Sequence, residues 1–530
     1  MKKLFNSSII VKQVILVFLF YFFLNPIHGQ LVYERNSLEV NQFLATMSQK
    51  GYIEWNDLIF PITKDKIRIA LSQLDQNKVL LNQLEKSELS FYLKEYKNER
   101  FKLLYKSDSS FSVHIDPIFT GSITSGFKKQ FSEKSVGISM WGNLGKKFGY
   151  QFSFHDINQK GSRFDTSINS IFQESNRGII ALNDPNILQQ LNFTDLRASL
   201  IYAFKKGTIS VGQDALTWGY GENGQLVLSN KAPYYPYIKL DYEPFNWLRF
   251  NYTHAFLQSE IIDSANLYPI PSRVFPASRE VFIKKYMASH SIDIRLKKGL
   301  HLSLGESIIY NDQLQVGYLL PIMFFKGYDN MINKGIIQAG SNGQFFGQLN
   351  TKNIIVKKSQ FYATLFIDEI RLASMFNPEK ARNQIGFNLG MIKQDFLVPN
   401  LIFGAEYTRL NPFLYRNFLP AQNYTSNGYL LGDWIGQNSD KLLFYLKYSP
   451  LPRLKTYIRY QKLRNGPEAS MVEQYFGRPQ IRFMNKDIST QNSFFFRASY
   501  EYKNRLLLNL SINDYGMAKK QYSMGLSYGL

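Results

Sequence analysis

The chain has no cysteine among its 530 residues. That absence excludes disulfides, thiol catalysis and thiolate metal sites, and it leaves no residue to carry a lipoprotein anchor. Histidine is scarce: the sequence holds six, of which His28 lies in a leader-like segment. The others, His114, His155, His254, His290 and His301, are scattered without ligand spacing. Neither a metal site nor a cofactor is expected. After residue 30 no run is long and apolar enough for a spanning helix, which needs ~20 residues. Gly219, Gly221 and Gly224 are not followed by Gly-Lys-Ser/Thr at Walker spacing, so they form no phosphate loop.

What the chain does have begins with an export signal. Lys2, Lys3 and Lys12 precede the apolar run Val14–Leu24, and Gly29 sits just before a plausible cut. That pattern predicts a signal peptide over 1–29. An exported chain without disulfides needs another source of stability, and a closed barrel supplies one through its hydrogen-bonded wall. The aromatic content points the same way, with 43 Phe and 34 Tyr. Aromatic girdles mark the two interfaces of outer-membrane barrels. Without a membrane helix, a closed barrel is also the one structure that satisfies every backbone group in lipid.

Two periods divide the remainder. Over 31–106 the spacing is helical. Val40, Phe43, Leu44 and Met47 predict one helix, with a capping box at Asn36 and Glu39 and a stop at Gly51. Thr63, after Pro61, is placed to cap a second helix carrying Ile67, Leu71 and Leu74. Leu89, Tyr92, Leu93 and Tyr96 predict a third. With little core of their own, these helices are expected to lean on the barrel.

From 107 to 530 the period is two. The last residues show it best: Tyr522, Met524, Leu526, Tyr528 and Leu530 share one strand face, and Ser523, Gly525, Ser527 and Gly529 share the other. That strand suits the closing seam of a transmembrane barrel. Ile292, Ile294 and Leu296 likewise alternate with Asp293, Arg295 and Lys297. Phe494, Phe496, Tyr500 and Tyr502 alternate with Arg497, Ser499 and Glu501, Ile458 and Tyr460 with Arg459, and Leu446 and Tyr448 with Lys447. Charges at every second position suit a wet lumen. Breaks at Asn143–Phe148 and Lys205–Gly207 read as turns. The length allows roughly sixteen to twenty strands. Segments near 157–192, 258–288 and 410–440 lack a period and read as long loops or lumen constrictions.

The formal charge of +21 becomes +18 without the three leader lysines. Such an excess favours anionic partners: lipopolysaccharide phosphates at the membrane rim, or an acidic glycan. An exported chain without a recognition motif is not expected to bind nucleic acid. The densest unusual stretch is Gly212–Leu240. Trp218 and Tyr220 offer flat faces there beside Asp214, Glu222 and Lys231, an arrangement that can hold a sugar by ring stacking and hydrogen bonds. If the apolar faces meet lipid, Arg295, Lys297, Lys447, Lys455, Arg459 and Arg497 face inward, with Asp293 and Glu501 to neutralise some of them. A lumen surplus of cations would grip anionic sugar units.

At these residues the chain resembles the capsule assembly Wzi family, in its Bacteroidetes-type form. The resemblance runs through Val40–Ile53 and Pro61–Thr63, Trp218–Gly221, Leu228–Pro233, Gly305-Glu306, Tyr318–Pro321, Phe361-Tyr362 with Asp368-Glu369, and Asn423-Tyr424 leading to Leu431-Gly432. It implies an all-β transmembrane antiparallel barrel of about 18 strands in the outer membrane, with a small periplasmic helical segment. It also implies a non-catalytic role in attaching or assembling capsular or other surface polysaccharide. The polysaccharide-binding candidates are therefore Trp218, Tyr220, Glu222, Lys231, Arg295, Lys297, Lys455, Arg459 and Arg497. A pore for oligosaccharides or small anions is the second expectation. Enzymatic glycan cleavage by Asp368, Glu369, Glu306 or Glu406 is a third; adjacent Asp368 and Glu369 are expected on opposite strand faces, which disfavours it.

Overall fold

The computed structural model describes residues 31–34, 39–98, 104–107, 110–126, 129–161, 190–269, 278–333, 341–369, 377, 383–477, 481–503, 505–516 and 520–529. The leader, Asn36 and most of 162–192 lie outside them.

Eighteen antiparallel strands close into one barrel. The first six are β1 (Phe111–Gly126), β2 (Lys129–Leu144), β3 (Phe148–Gly161), β4 (Gln190–Phe204), β5 (Gly207–Asp214) and β6 (Tyr235–Phe245). Then follow β7 (Leu248–Ile262), β8 (Phe282–Lys297), β9 (Leu300–Asn311), β10 (Ser341–Lys352), β11 (Ser359–Glu369) and β12 (Gln384–Lys393). The last six are β13 (Leu401–Leu410), β14 (Ser439–Leu451), β15 (Leu454–Asn465), β16 (Ser489–Lys503), β17 (Leu506–Asp514) and β18 (Lys520–Tyr528). Turns at one end are short, and the connections at the other are mostly long, as in outer-membrane barrels.

The seam closes as the C-terminal pattern predicts. β18 pairs with β1 from Gln521↔Gly126 to Tyr528↔Phe119. The short strand Leu104–Ser107 continues along the same β1 edge, from Ile115 to Ser112. Tyr522, Met524 and Leu526 are exposed on the outer face, and Ser523 turns inward to bond Thr124 at 2.8 Å. The same alternation holds for Ile292 and Leu296, Ile458, Phe494 and Phe496, all exposed. The loop expected over 258–288 is shorter than its lack of period suggests: β7 continues to Ile262, and Gln258 pairs with Lys284 of β8. Polar side chains such as Glu260 and Lys284 obscure the alternation where the wall extends beyond its apolar band.

Three helices fill the short-turn mouth: α1 (Glu39–Gln49), α2 (Lys64–Gln76) and α3 (Gln83–Asn98). Gly51 follows α1 at φ +81°, a conformation suited to glycine. Thr63 stands at the N-cap of α2, but its side chain makes no capping bond; its backbone is instead paired with Tyr33. The expectation of little core is corrected. Val40, Leu44, Met47, Ile67, Leu71, Leu74 and Leu89 share one buried cluster.

These helices also lean on the wall as expected, at points right round the mouth. Leu31 N–H donates to Asn143 of β2 and Tyr33 N–H to Gln151 of β3. Lys66 pairs with Glu243 of β6 at 3.1 Å and Asp57 with Lys352 of β10 at 2.7 Å. Lys50 pairs with Asp395 in the β12–β13 turn at 2.7 Å, Glu88 with Lys455 of β15, and Glu34 with Arg505 in the β16–β17 turn at 2.8 Å. A plug is the appropriate word for this segment.

Nor is the lumen wet throughout. The connections 215–234 and 411–438 fold inward and interlock: Tyr415 Oη donates to the Leu226 carbonyl, Tyr424 Oη to that of Val227, and Ser229 Oγ to that of Gly432. Leu226, Val227, Leu228 and Leu431 pack against inward Met287, Ile309, Phe346 and Phe366 in a dry core at mid-barrel. One strand pair ties this core to the plug, Thr217-Trp218 against Ile59-Phe60.

Candidate functional site

Between the plug and the inward fold lies a cavity of about 440 Å³. One side is α1, which presents Asn41, Gln42, Thr46 and Gln49. The floor is the glycine-rich run 219–225 with Lys231, and the wall is β11 to β14 and β16. Positive φ at Gly219, Gly221 and Gly224 lets this run turn sharply. A Cβ on Gly224 would stand 2.6 Å from the Asp433 carboxylate.

The cavity has aromatic faces and a polar frame. Tyr220 and Tyr362 lie 5.5 Å apart between centroids. Lys447 reaches Glu222 at 2.9 Å and sits 5.1 Å over the Tyr445 ring. Glu406 Oε2 accepts the Tyr362 hydroxyl at 2.7 Å and the Glu222 N–H at 2.8 Å, so one carboxylate fixes both wall tyrosine and floor. Buried Lys441 donates to the Asn223 carbonyl at 2.8 Å and pairs with Asp433 at 3.0 Å. Trp434 Nε1 donates to the same carbonyl at 2.7 Å.

An amide relay joins plug to floor. Gln394 donates to Gln49, Gln49 to Gln360 at 2.5 Å, Gln360 to Asn350 at 2.8 Å, and Asn350 to the Tyr220 hydroxyl at 2.9 Å. Burial, reinforced by Asp57, pushes the Tyr220 hydroxyl well above its ordinary pKa, so it stays protonated. Such a surface can stack a sugar ring and engage hydroxyls from several directions.

The nine sequence candidates divide by position. Tyr220, Glu222, Lys231 and Arg497 line the cavity. Arg497 is exposed to it, lies 5.7 Å over the Tyr457 ring, and makes no ion pair with a described residue. Trp218 is 1% exposed, edge-on to Phe346 at 5.5 Å in the dry core beneath. Lys455 is engaged by Glu88, and Arg459 is buried 5.0 Å over Phe495. Arg295 and Lys297 stand at the β8–β9 turn, away from the lining.

Tyr362, Tyr445 and the α1 amides were not among the candidates. Extending the inward register through β11 and β14 would have found the tyrosines; nothing in the helical spacing marks Gln42 or Gln49.

Two details bear on catalysis. A register shift between Ile367 and Glu369 places Glu369 opposite inward Gln384, so Asp368 and Glu369 both turn inward, contrary to simple alternation. Each is held by hydrogen bonds, Asp368 from Gln344 and the Tyr415 N–H, Glu369 from Gln384 and Gln474. The Gly-x-Ser-x-Gly spacing occurs at Gly525–Gly529. Ser527 lies there in regular strand opposite Thr120, not in the strand-to-helix turn that a nucleophile elbow requires.

A closed wall of eighteen strands, apolar outside and filled within, defines a large β-barrel of the outer-membrane type. No protein-family model and no curated protein matches the chain by sequence. Among solved structures it is similar to Wzi of Escherichia coli, described as an outer membrane protein involved in group 1 capsule assembly and as a carbohydrate-binding β-barrel. The identity is 14%, over 95% of this chain and 100% of that one, with a TM-score of 0.57. OccAB2 of Acinetobacter baumannii aligns at 12% identity over 79% and 97% of the two chains, with a TM-score of 0.43. OprD of Pseudomonas aeruginosa aligns at 8% over 78% and 94%, also at 0.43. The likeness to Wzi shows a shared fold.

Proposed function

We propose that this protein is an outer-membrane barrel, a divergent relative of Wzi, that binds an exported polysaccharide without cleaving it and helps assemble or retain it at the cell surface. The short-turn end and its plug face the periplasm in this reading. The observation that carries it is the cavity: Tyr220, Tyr362 and Tyr445 with Glu222, Lys447 and Arg497 in a space of about 440 Å³. That volume falls in the ~300–1,000 Å³ range of ligand sites. Arg497 and Lys447 favour glycans bearing carboxylates. Each stack or charged hydrogen bond contributes only ~1–3 kcal/mol, and repetition along a polymer supplies avidity.

Cells lacking the protein are expected to shed surface polysaccharide into the medium. Normal retention in the deletion strain overturns the reading. The pore alternative is supported by inward cations and opposed by the plug and the interlocked inner loops. Planar-bilayer conductance separates the two: a steady open channel in the intact chain favours the pore.

A further inference from the structure

The short-turn rim combines two features that water alone does not explain. The first is charge. The β2–β3, β4–β5 and β10–β11 turns carry Lys146-Lys147, Lys205-Lys206 and Lys357-Lys358, and the β8–β9 turn carries Lys298. Lys205, Lys206, Lys298 and Lys357 are exposed and make no ion pair with a described residue. The acids nearby are occupied: Asp395 holds Lys50 and Lys358, and Glu243 holds Lys66.

The second feature is apolar exposure in the same turns. Leu397 is 84% exposed and Ile355 64%. Trp247 is half exposed and stacks on Phe245 at 5.6 Å, 6° from parallel. In the β12–β13 turn Phe396 lies 5.1 Å from Phe403, whose position on β13 faces outward, so this turn extends the apolar wall past the strand end. Solvent-facing turns would normally be polar.

Lysine and apolar side chains recur through consecutive turns from β2 to β13 and follow the rim instead of gathering in one patch. A protein partner needs a contiguous patch; a bilayer interface surrounds the barrel. Apolar tips inserted at the acyl boundary, with ammonium groups beside them, match a phosphate-bearing headgroup layer.

We propose that the short-turn rim is a binding surface for anionic glycerophospholipid, with Lys205, Lys206, Lys298 and Lys357 holding headgroup phosphates while Trp247, Ile355 and Leu397 enter the interface. The leaflet assignment rests on the orientation given above; the lipid chemistry does not.

The test uses the full chain in neutral detergent, titrated with phosphatidylglycerol, phosphatidylethanolamine or lipid A and read by native mass spectrometry. Phosphatidylglycerol is expected to be retained at least about fivefold better than phosphatidylethanolamine, the discrimination that a single surface lysine can supply. That preference should shrink at high salt. The quadruple variant Lys205→Gln, Lys206→Gln, Lys298→Gln, Lys357→Gln should lose it while keeping the heat-modifiable gel mobility of a folded barrel. Equal retention of the two phospholipids by the wild-type chain overturns the proposal, as does a preference that survives in the folded variant. Stronger binding of lipid A, lost in the variant, would assign the rim to lipopolysaccharide and also overturn it. If the variant does not fold, a wild-type preference insensitive to salt is decisive against the lysines. Loss of polysaccharide binding leaves all these readouts unchanged, so the two proposals fail separately.

Discussion

Lys352, at the end of β10, holds the Asp57 carboxylate at 2.7 Å and the Trp55 carbonyl at 3.0 Å with one buried ammonium. It is a bolt between wall and plug. Replacing Lys352 by Met strands a carboxylate at the interface, where losing one partner of a buried pair costs about 3 kcal/mol. Hydrogen exchange across α1–α3 is expected to accelerate while the strands stay protected. Unchanged protection of the helices would show that this contact does not hold the plug.

Glu406 serves Tyr362 and the Glu222 N–H through one oxygen. Glu406→Leu leaves both donors unsatisfied, a penalty of about 2 kcal/mol. The 219–225 floor should lose its position and sugar affinity should fall about tenfold, read by calorimetry with polysaccharide fragments. Glu406→Gln, which keeps an acceptor, should fall less. Equal losses in the two variants would argue against the clamp.

Arg497 presents to the cavity a guanidinium that makes no ion pair with a described residue. Arg497→Gln is expected to weaken uronate-containing fragments by about 2 kcal/mol, the scale of a charged hydrogen bond. Neutral fragments should be nearly unaffected. A uniform loss across both classes would point to lost packing against Tyr457.

The plug should also loosen in acid. Burial tends to raise the Asp395 pKa, but hydrogen bonds from Lys358, Lys50 and the Asn400 N–H outweigh it and hold the carboxyl at about 2. In the unfolded chain the value is ~3.9. A depressed folded pKa gives stabilisation that is complete above ~pH 5 and fades as pH falls toward ~2. Exchange in α1 and α3 should rise over that window, and Asp395→Asn should flatten this part of the profile. An identical acid response in the variant would assign it to another carboxylate.

On the outer face, Met524→Arg places a guanidinium against lipid beside the seam. The expected cost is about 2–4 kcal/mol if the site lies near the bilayer midplane, falling toward the interfaces. Urea unfolding in liposomes measures it. A cost below about 0.5 kcal/mol would place Met524 outside the hydrocarbon layer.

Alternation made the wall legible. Tyr522, Met524 and Leu526 marked the outer face of β18, and the same alternation, read strand by strand, marked the faces of β8, β14, β15 and β16. Helical spacing likewise revealed α1 to α3. What the sequence concealed was the inside. Leu226, Val227 and Leu228 have no strand or helix period, since their burial comes from Tyr415, Tyr424 and Phe366, remote in sequence. The same non-local packing withdrew Trp218 from the cavity and gave Tyr362 and Gln49 their places in it. Asp368 and Glu369 misled because a single bulge reverses a parity argument.

The edge of β1 is shared by two pieces of chain, Gln521–Tyr528 and Leu104–Ser107. The tether of the plug is thus also a stitch in the wall. Removing residues 31–103 would take away the plug, leave the mid-barrel core in place and leave the wall shut. Removing four more would uncover Ser112 to Ile115 and open a slit beside the channel being measured. The boundary between plug and wall falls inside what looks like a linker, and a conductance experiment has to respect it.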